Sequence, residues 1–213
     1  MLDLLFIEKV TENQDAFAAK VIDISSKLGI NPNWLMLTMF LESGLNSRRI
    51  NGIGAIGLIQ FLPSTYRDTW GLTADDLLNI SNVDQLDYVY KFYESAAGKL
   101  KSYVDLHIFA FWPIAVIANK PDSYIFQLDT LPADVVARQN APIDINKDNQ
   151  ITKGEAKQYY FKDVKNSIQS GLIPKQYKSQ FMNSKIIEIA KITAILLIAF
   201  VLIYSSIQNL QNS

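Results

Sequence analysis

NPNWLMLTMFLESGLNSRRINGIGAIGLIQFLPST, residues Asn31–Thr65, sets an apolar helix, one carboxylate and a glycine-rich loop in direct succession. Asn31 is suited to cap a helix, and Pro32 to its first position, where the missing N–H costs nothing. The segment that follows carries Trp34, Leu35, Met36, Leu37, Met39, Phe40 and Leu41. A helix apolar on nearly every side belongs inside a core. Glu42 stands at its end, and Gly44 breaks it. A carboxyl at the edge of a buried apolar helix loses solvation, which raises its pKa. Held protonated near neutral pH, it can deliver a proton to a leaving oxygen. The same position also suits a solvated helix-end cap or ion pair, the commoner use of a carboxylate.

What lies beside Glu42 favours chemistry. Glu42-Ser43-Gly44-Leu45-Asn46 is followed by Gly54-Ala55-Ile56-Gly57-Leu58-Ile59-Gln60-Phe61 and then Pro63-Ser64-Thr65. This order resembles the lysozyme-like lytic transglycosylases, the superfamily of soluble lytic transglycosylases and goose-type lysozymes. Their pattern is a Glu-Ser pair, then Gly-Leu-Met-Gln, then Pro-x-Thr. The resemblance runs from Phe17 to about Ile125, with Ile59 where Met is commoner. It implies a lysozyme-like helical domain, Glu42 as the single catalytic acid and base, Ser43 beside it, and Gln60 on the glycan cleft. Many relatives carry Ala-Tyr-Asn-Ala-Gly further on, with a tyrosine at the reacting sugar. This chain has Ala110-Phe111-Trp112-Pro113, which looks like a phage-type variant and lacks the hydroxyl at Phe111. Tyr88 or Tyr90 can take that place.

Ordinary glycosidases use two carboxylates. Asp68, Asp75, Asp76 and Asp84 are available here, and none stands in a motif. The resemblance implies substrate-assisted chemistry instead. Glu42 would protonate the oxygen between N-acetylmuramic acid and N-acetylglucosamine. Ionised Glu42 would then take the proton of the muramic C6 hydroxyl, closing a 1,6-anhydro ring. Attack by water would give the product of a lysozyme. A non-catalytic wall-binding or virion-structural protein on the same fold is the alternative, and a calcium-dependent membrane adaptor a third.

Gly52, Gly54 and Gly57 also satisfy G-x-G-x-x-G. A dinucleotide site needs a strand before that motif and a βαβ unit around it. Here a helix and the polar turn Ser47-Arg48-Arg49 come first, so the glycines are expected to let a sugar approach the backbone. The formal charge of −1 argues against a nucleic-acid partner. Cysteine is absent, so neither a disulfide framework nor thiolate chemistry is available. Hydrophobic residues make up 49% of the chain, enough for one sizeable core and a small appendage. Met1-Leu2-Asp3 carries an early acid and no basic run, so no secretory signal is expected.

Phe17, Val21, Ile24 and Leu28 predict a helix over Asp15–Leu28, ended by Gly29. Leu2–Val10 is expected to form an amphipathic helical leader. A helical segment is expected from Pro63, with Tyr66 and Trp70 along it as sugar-stacking or packing residues. Thr73 is a helix cap. Val83, Leu86, Val89, Tyr90 and Tyr93 fall on one stripe of a helix that Ser81 or Asn82 caps. Tyr103–Asn119 is the most apolar part before the C-terminal region and holds the single histidine, His107, expected as a packed core residue.

Asp144–Glu155 reads DINKDNQITKGE. Asp144, Asn146, Asp148 and Thr152 supply side-chain oxygens at the first, third, fifth and ninth places, Gln150 a backbone carbonyl at the seventh, and Glu155 the carboxylate at the twelfth. That is the calcium spacing of an EF-hand loop. Asn149 replaces the usual sixth-place glycine and tolerates a left-handed turn. Pro142 argues against an entering helix; an exiting helix is expected over Lys153–Val164. The calcium is expected to be structural.

Ile186–Ile207 is almost wholly apolar, with Glu188 and Lys191 near its start, and predicts a transmembrane helix. Lys175, Lys178 and Lys185 precede it and nothing basic follows, which places the enzyme on the cytoplasmic side. A bacteriophage virion membrane resolves that orientation; a bacterial membrane facing the wall is the other location. The expected organisation is mainly α. It comprises a lysozyme-like domain (1–140), a calcium loop with exiting helix (141–164), a linker (165–185) and a membrane anchor (186–207). The expected partners are peptidoglycan glycan strands, a membrane and virion proteins.

Overall fold

The computed structural model describes residues 3–182. Its main helices are α1 (Gln14–Leu28), α2 (Pro32–Ser43), α3 (Ala74–Asn79), α4 (Asn82–Tyr93), α5 (Tyr103–Phe111), α6 (Pro113–Ile117), α7 (Ala133–Gln139), α8 (Lys153–Gln169) and α9 (Lys178–Phe181). Among the described residues β-pairing is limited to isolated bridges. The mainly α class follows from the sequence as expected. The described residues fall into two compact units, one up to Lys165 and one from Asn166. The loop and helix start at 141–164 therefore lie within the first unit, together with 1–140. The anchor expected at 186–207 lies outside the described residues. Among those described, no helix is long and apolar enough to cross a membrane.

Helix α2 is the buried rod of the first unit. The Asn31 side chain accepts from Asn33 N–H at 2.9 Å, and Pro32 opens the first turn. Leu35, Met36, Leu37 and Met39 are all fully buried, each worth about 1.5–3 kcal/mol on leaving water. The apolar character expected on every side does not extend to the last turn. Leu41 is 49% exposed, so the helix leaves the core just before Glu42. Gly44 closes it at φ +67, with its N–H donating to Phe40 O.

Helix α1 packs on α2 and α4 through the expected stripe of Phe17, Val21, Ile24 and Leu28. Ser81 caps α4, and Thr73 and Asp76 form a reciprocal capping box at α3. Two elements differ from expectation. The leader is not helical beyond a 3₁₀ turn at Ile7–Lys9; Leu4, Leu5 and Val10 bury themselves individually. The segment after Pro63 is a π-helical turn, Ser64–Thr69. Further along, Pro113 breaks the apolar run 103–119 into α5 and α6, because it cannot continue a helical hydrogen-bond ladder.

The loop from Leu45 to Phe61 lies between α2 and the π-helical turn. Gln85 of α4, fully buried, holds it in place. Its Oε1 accepts from Leu58 N–H at 2.7 Å, and its Nε2 donates to Ser47 O at 3.0 Å and to Leu77 O at 3.2 Å. A Cβ at Gly57 would collide with this amide. Gly57 also has φ +86, so glycine is needed there twice over.

In the second unit, Gly171 turns the chain after α8, and Ile173 N–H donates to Ser167 O at 3.0 Å. A 3₁₀ turn, Lys175–Tyr177, then leads into α9.

Replacing Gln85 by Leu keeps its approximate volume and strands three buried backbone groups. Unfolding in urea should show a loss of roughly 2–4 kcal/mol, since each buried unpaired polar group costs about 1–3. Unchanged stability would mean that Gln85 does not hold the loop.

Candidate active site

Thr38 and Glu42 stand one turn apart on α2, on the same face. Both line an open pocket of about 220 Å³. Gln60, Phe61 and Leu62 of the glycine-rich loop contribute to its walls. Helix α4 adds Phe92 and Tyr93, and α5 adds His107 and Ala110. The acid and the glutamine picked out by the sequence motifs thus share one pocket. Among the described residues lining it, Glu42 is the one carboxylate.

Glu42 is solvent-exposed as a residue. Protein atoms still crowd its carboxyl enough for desolvation, the one cause at work, to raise the pKa above the ordinary glutamate value. Among the described residues no cation forms an ion pair with it. Its neighbours are neutral. Burial and then the charge of Glu42 push the Tyr93 phenol up. Tyr160 of α8 is raised to about 12, chiefly by burial. Burial lowers His107 to about 4, so its imidazole is uncharged at neutral pH. A carboxyl in uncharged, partly dry surroundings keeps its proton longer than one in water.

Gln60 adopts φ +53. Its Nε2 donates to Arg49 O at 3.1 Å and Gly57 O at 3.0 Å. That fixes the amide and leaves its carbonyl oxygen as an acceptor. Ser43 is placed differently from expectation: it is 2% exposed and does not line the pocket. Its Oγ lies 2.9 Å from Leu58 O and 3.0 Å from Met39 O, bridging the end of α2 to the loop. Its role is to hold Glu42 and the loop together.

Tyr88, Tyr90 and Phe111 are also absent from the pocket walls. Tyr88 tilts against Trp70 at 5.2 Å, and Tyr90 lies under the Lys27 ammonium at 5.9 Å. The Phe111 ring packs on Phe126 at 5.5 Å, beside the Trp112–Phe126 stack. Tyr93 is the tyrosine that lines the pocket among the described residues. It lies on the core-facing stripe with Leu86 and Val89, a register the sequence already carried. Of the other carboxylates, Asp68 pairs with Arg67, Asp76 sits in its capping box and Asp84 bonds Ser81.

In the loop from Asp144, Asp148 N–H donates to Asn146 Oδ1 at 2.9 Å and Gln150 N–H to Asp148 Oδ1 at 2.9 Å. Lys147 and Asn149 adopt φ +60 and +65. Glu155 accepts from Thr152 N–H at 2.9 Å and Asn146 N–H at 3.3 Å, so it caps α8. Among the described residues no group of three or more His, Cys, Asp or Glu side chains is assembled to hold a metal ion. Helix α7 ends at Gln139, so no helix runs directly into Asp144. Lys153 anchors the loop, its buried ammonium donating to Ala115 O and Lys120 O at 3.1 and 2.7 Å.

The family model of the transglycosylase SLT domain matches residues 20–103. That span holds Glu42, Ser43, Gln60, Gln85 and Tyr93 and stops short of His107. Neither the curated proteins nor the solved structures give a match.

The raised pKa of Glu42 carries a stability signature. The folded state holds this proton more tightly than the unfolded chain. Ionisation therefore disfavours folding above the folded pKa, and the effect vanishes below the unfolded pKa. Glu42→Gln should raise Tm slightly at pH 7 and leave it unchanged at pH 3. An equal or lower Tm for the variant at pH 7 would contradict the desolvated carboxyl.

Proposed function

We propose that this chain is a lytic transglycosylase that cleaves peptidoglycan, on the match of residues 20–103 to the transglycosylase SLT domain. From that premise we propose that Glu42 is the acid and base by which this chain cuts the β-1,4 bond from N-acetylmuramic acid to N-acetylglucosamine. The observation that supports this most is a desolvated carboxyl, without a counter-ion among the described residues, in one pocket with Gln60. Protonated Glu42 donates to the glycosidic oxygen as the C1–O bond breaks. The resulting carboxylate accepts the C6 hydroxyl proton as that oxygen bonds to C1, giving a 1,6-anhydro end. The net reaction consumes no water. Gln60 offers its carbonyl oxygen to the sugar. The neutral Tyr93, as a phenol on the same wall, takes the place assigned by resemblance to the family tyrosine. Glu42 is the one carboxylate among the described residues lining the pocket, which fits ring closure better than activation of water by a second carboxylate.

Zymograms of purified wall should clear with the wild type, and Glu42→Gln should lower turnover at least about a hundredfold, as loss of a general acid does. Mass spectrometry of the products should show anhydro ends. Equal clearing by both proteins would reject the role of Glu42 and favour a wall-binding or structural protein.

We infer that Asp144, Asn146, Asp148, Gln150, Thr152 and Glu155 take a structural calcium ion. The kinds of donor and their spacing fit the ion, as do the left-handed turns at Lys147 and Asn149. The Glu155 carboxylate would move from its cap onto the metal. Calcium should raise Tm, EDTA should reverse the rise, and Asp144→Ala should remove it. A Tm insensitive to calcium would exclude the site.

The setting we propose is a bacteriophage virion membrane, on the strength of Ala110-Phe111-Trp112-Pro113 and the apolar run at 186–207. Recovery of the chain only from uninfected cells would exclude it.

A further inference from the structure

Helix α5 contributes to the pocket a residue for which the motifs leave no role. His107 and Ala110 are three apart and share one helical face, and both line the pocket that holds Glu42. The imidazole is clamped by two aromatic rings. Tyr160 stacks on it at 5.0 Å with the planes inclined by 20°. Tyr103 meets it edge-on at 4.7 Å. The ring is half-buried. Its orientation is thus fixed by contacts that use no ring nitrogen, and among the described residues no hydrogen bond engages one.

We propose that His107 is a substrate-contact residue, holding the acetamido group of the amino sugar beside Glu42. This rests on the peptidoglycan reading of the pocket. A neutral imidazole presents one N–H donor and one acceptor nitrogen, and an acetamido group presents the complementary C=O and N–H. The ring's surroundings decide between this role and two others. The ionisable groups around it are Glu42, Tyr93, Tyr103, Tyr160 and, on α8, Asp163. Burial keeps the imidazole neutral in spite of the two carboxylates. An uncharged ring has no pull on the lactyl carboxylate of muramic acid, which an imidazolium would attract. A ring that binds a proton only near pH 4 is also too weak a base to take one from a sugar hydroxyl at neutral pH. Neutrality serves Glu42 as well, since a cation here would lower its pKa.

The test uses the full chain carrying Glu42→Gln, so that the glycan stays uncut. Binding of a GlcNAc–MurNAc tetrasaccharide is measured by calorimetry, with and without His107→Phe. Phe preserves the aromatic clamp and removes both nitrogens. Affinity should fall about tenfold, the usual net worth of a hydrogen bond, with Tm unchanged. His107→Gln, which keeps a donor and an acceptor, should recover part of the loss. The de-N-acetylated tetrasaccharide should bind more weakly to the parent and lose nothing further with His107→Phe. Unchanged affinity in His107→Phe, equal losses in Phe and Gln, or independent losses from variant and ligand would each overturn the proposal. An inactive wild type would sink the transglycosylase reading, while these binding measurements would still judge His107.

Discussion

A loop of irregular backbone has to be held in place by side chains, and in this protein that burden rests on one amide. Gln85 gives both of its N–H groups and its carbonyl to the backbone of Ser47, Leu77 and Leu58. A buried polar group without a partner costs about 1–3 kcal/mol, so the loop and α4 are committed to one mutual position. Ser43 adds a second tie from the end of α2. Glu42 sits beside Ser43, and Gln60 lies two residues beyond Leu58. The distance between acid and glutamine is thereby set by two small hydrogen-bonded crosspieces, not by a sheet.

The chemistry then follows from what is missing around the carboxyl. Desolvation raises the pKa of an acid, and a nearby cation lowers it. The pocket supplies the first effect and, among its described walls, none of the second. The Tyr93 phenol, an uncharged imidazole and Phe61 share the pocket with Glu42 where an enzyme that relied on a permanently ionised carboxylate would place a lysine or arginine. The exit of α2 from the core at Leu41 makes this possible. One turn further in, Thr38 also lines the pocket but is only 4% exposed, so an acid there would be almost wholly buried.

Much of this was legible in the residue pattern. The Asn31-Pro32 start, the buried run through Met39 and the Gly44 stop define α2 by local chemistry alone. The motif order put Glu42 and Gln60 in one place, and the structure agrees. What the pattern hid depended on long-range packing. Gln85 lies 27 residues from its partner Leu58, and an interior glutamine on a helical stripe carries no local mark of what it will bond. Ser43 looked like a cleft residue because motif neighbours are adjacent in sequence, although successive helical positions face different ways. Tyr88 and Tyr90 were singled out over Tyr93 for a hydroxyl, although the stripe already placed Tyr93 with Leu86 and Val89. His107 read as core because its neighbours are apolar, and it is indeed packed, with one part of the ring left on the pocket.

The proton-donor role proposed for Glu42 requires that its carboxyl hold its proton. Isotope labelling of glutamate and a carbon-13 NMR titration of the Glu42 carboxyl in the wild type measure this directly. The predicted midpoint lies above the ordinary glutamate value of 4.5. A midpoint at or below that value would show a hydrated or ion-paired group and would contradict the proton-donor role.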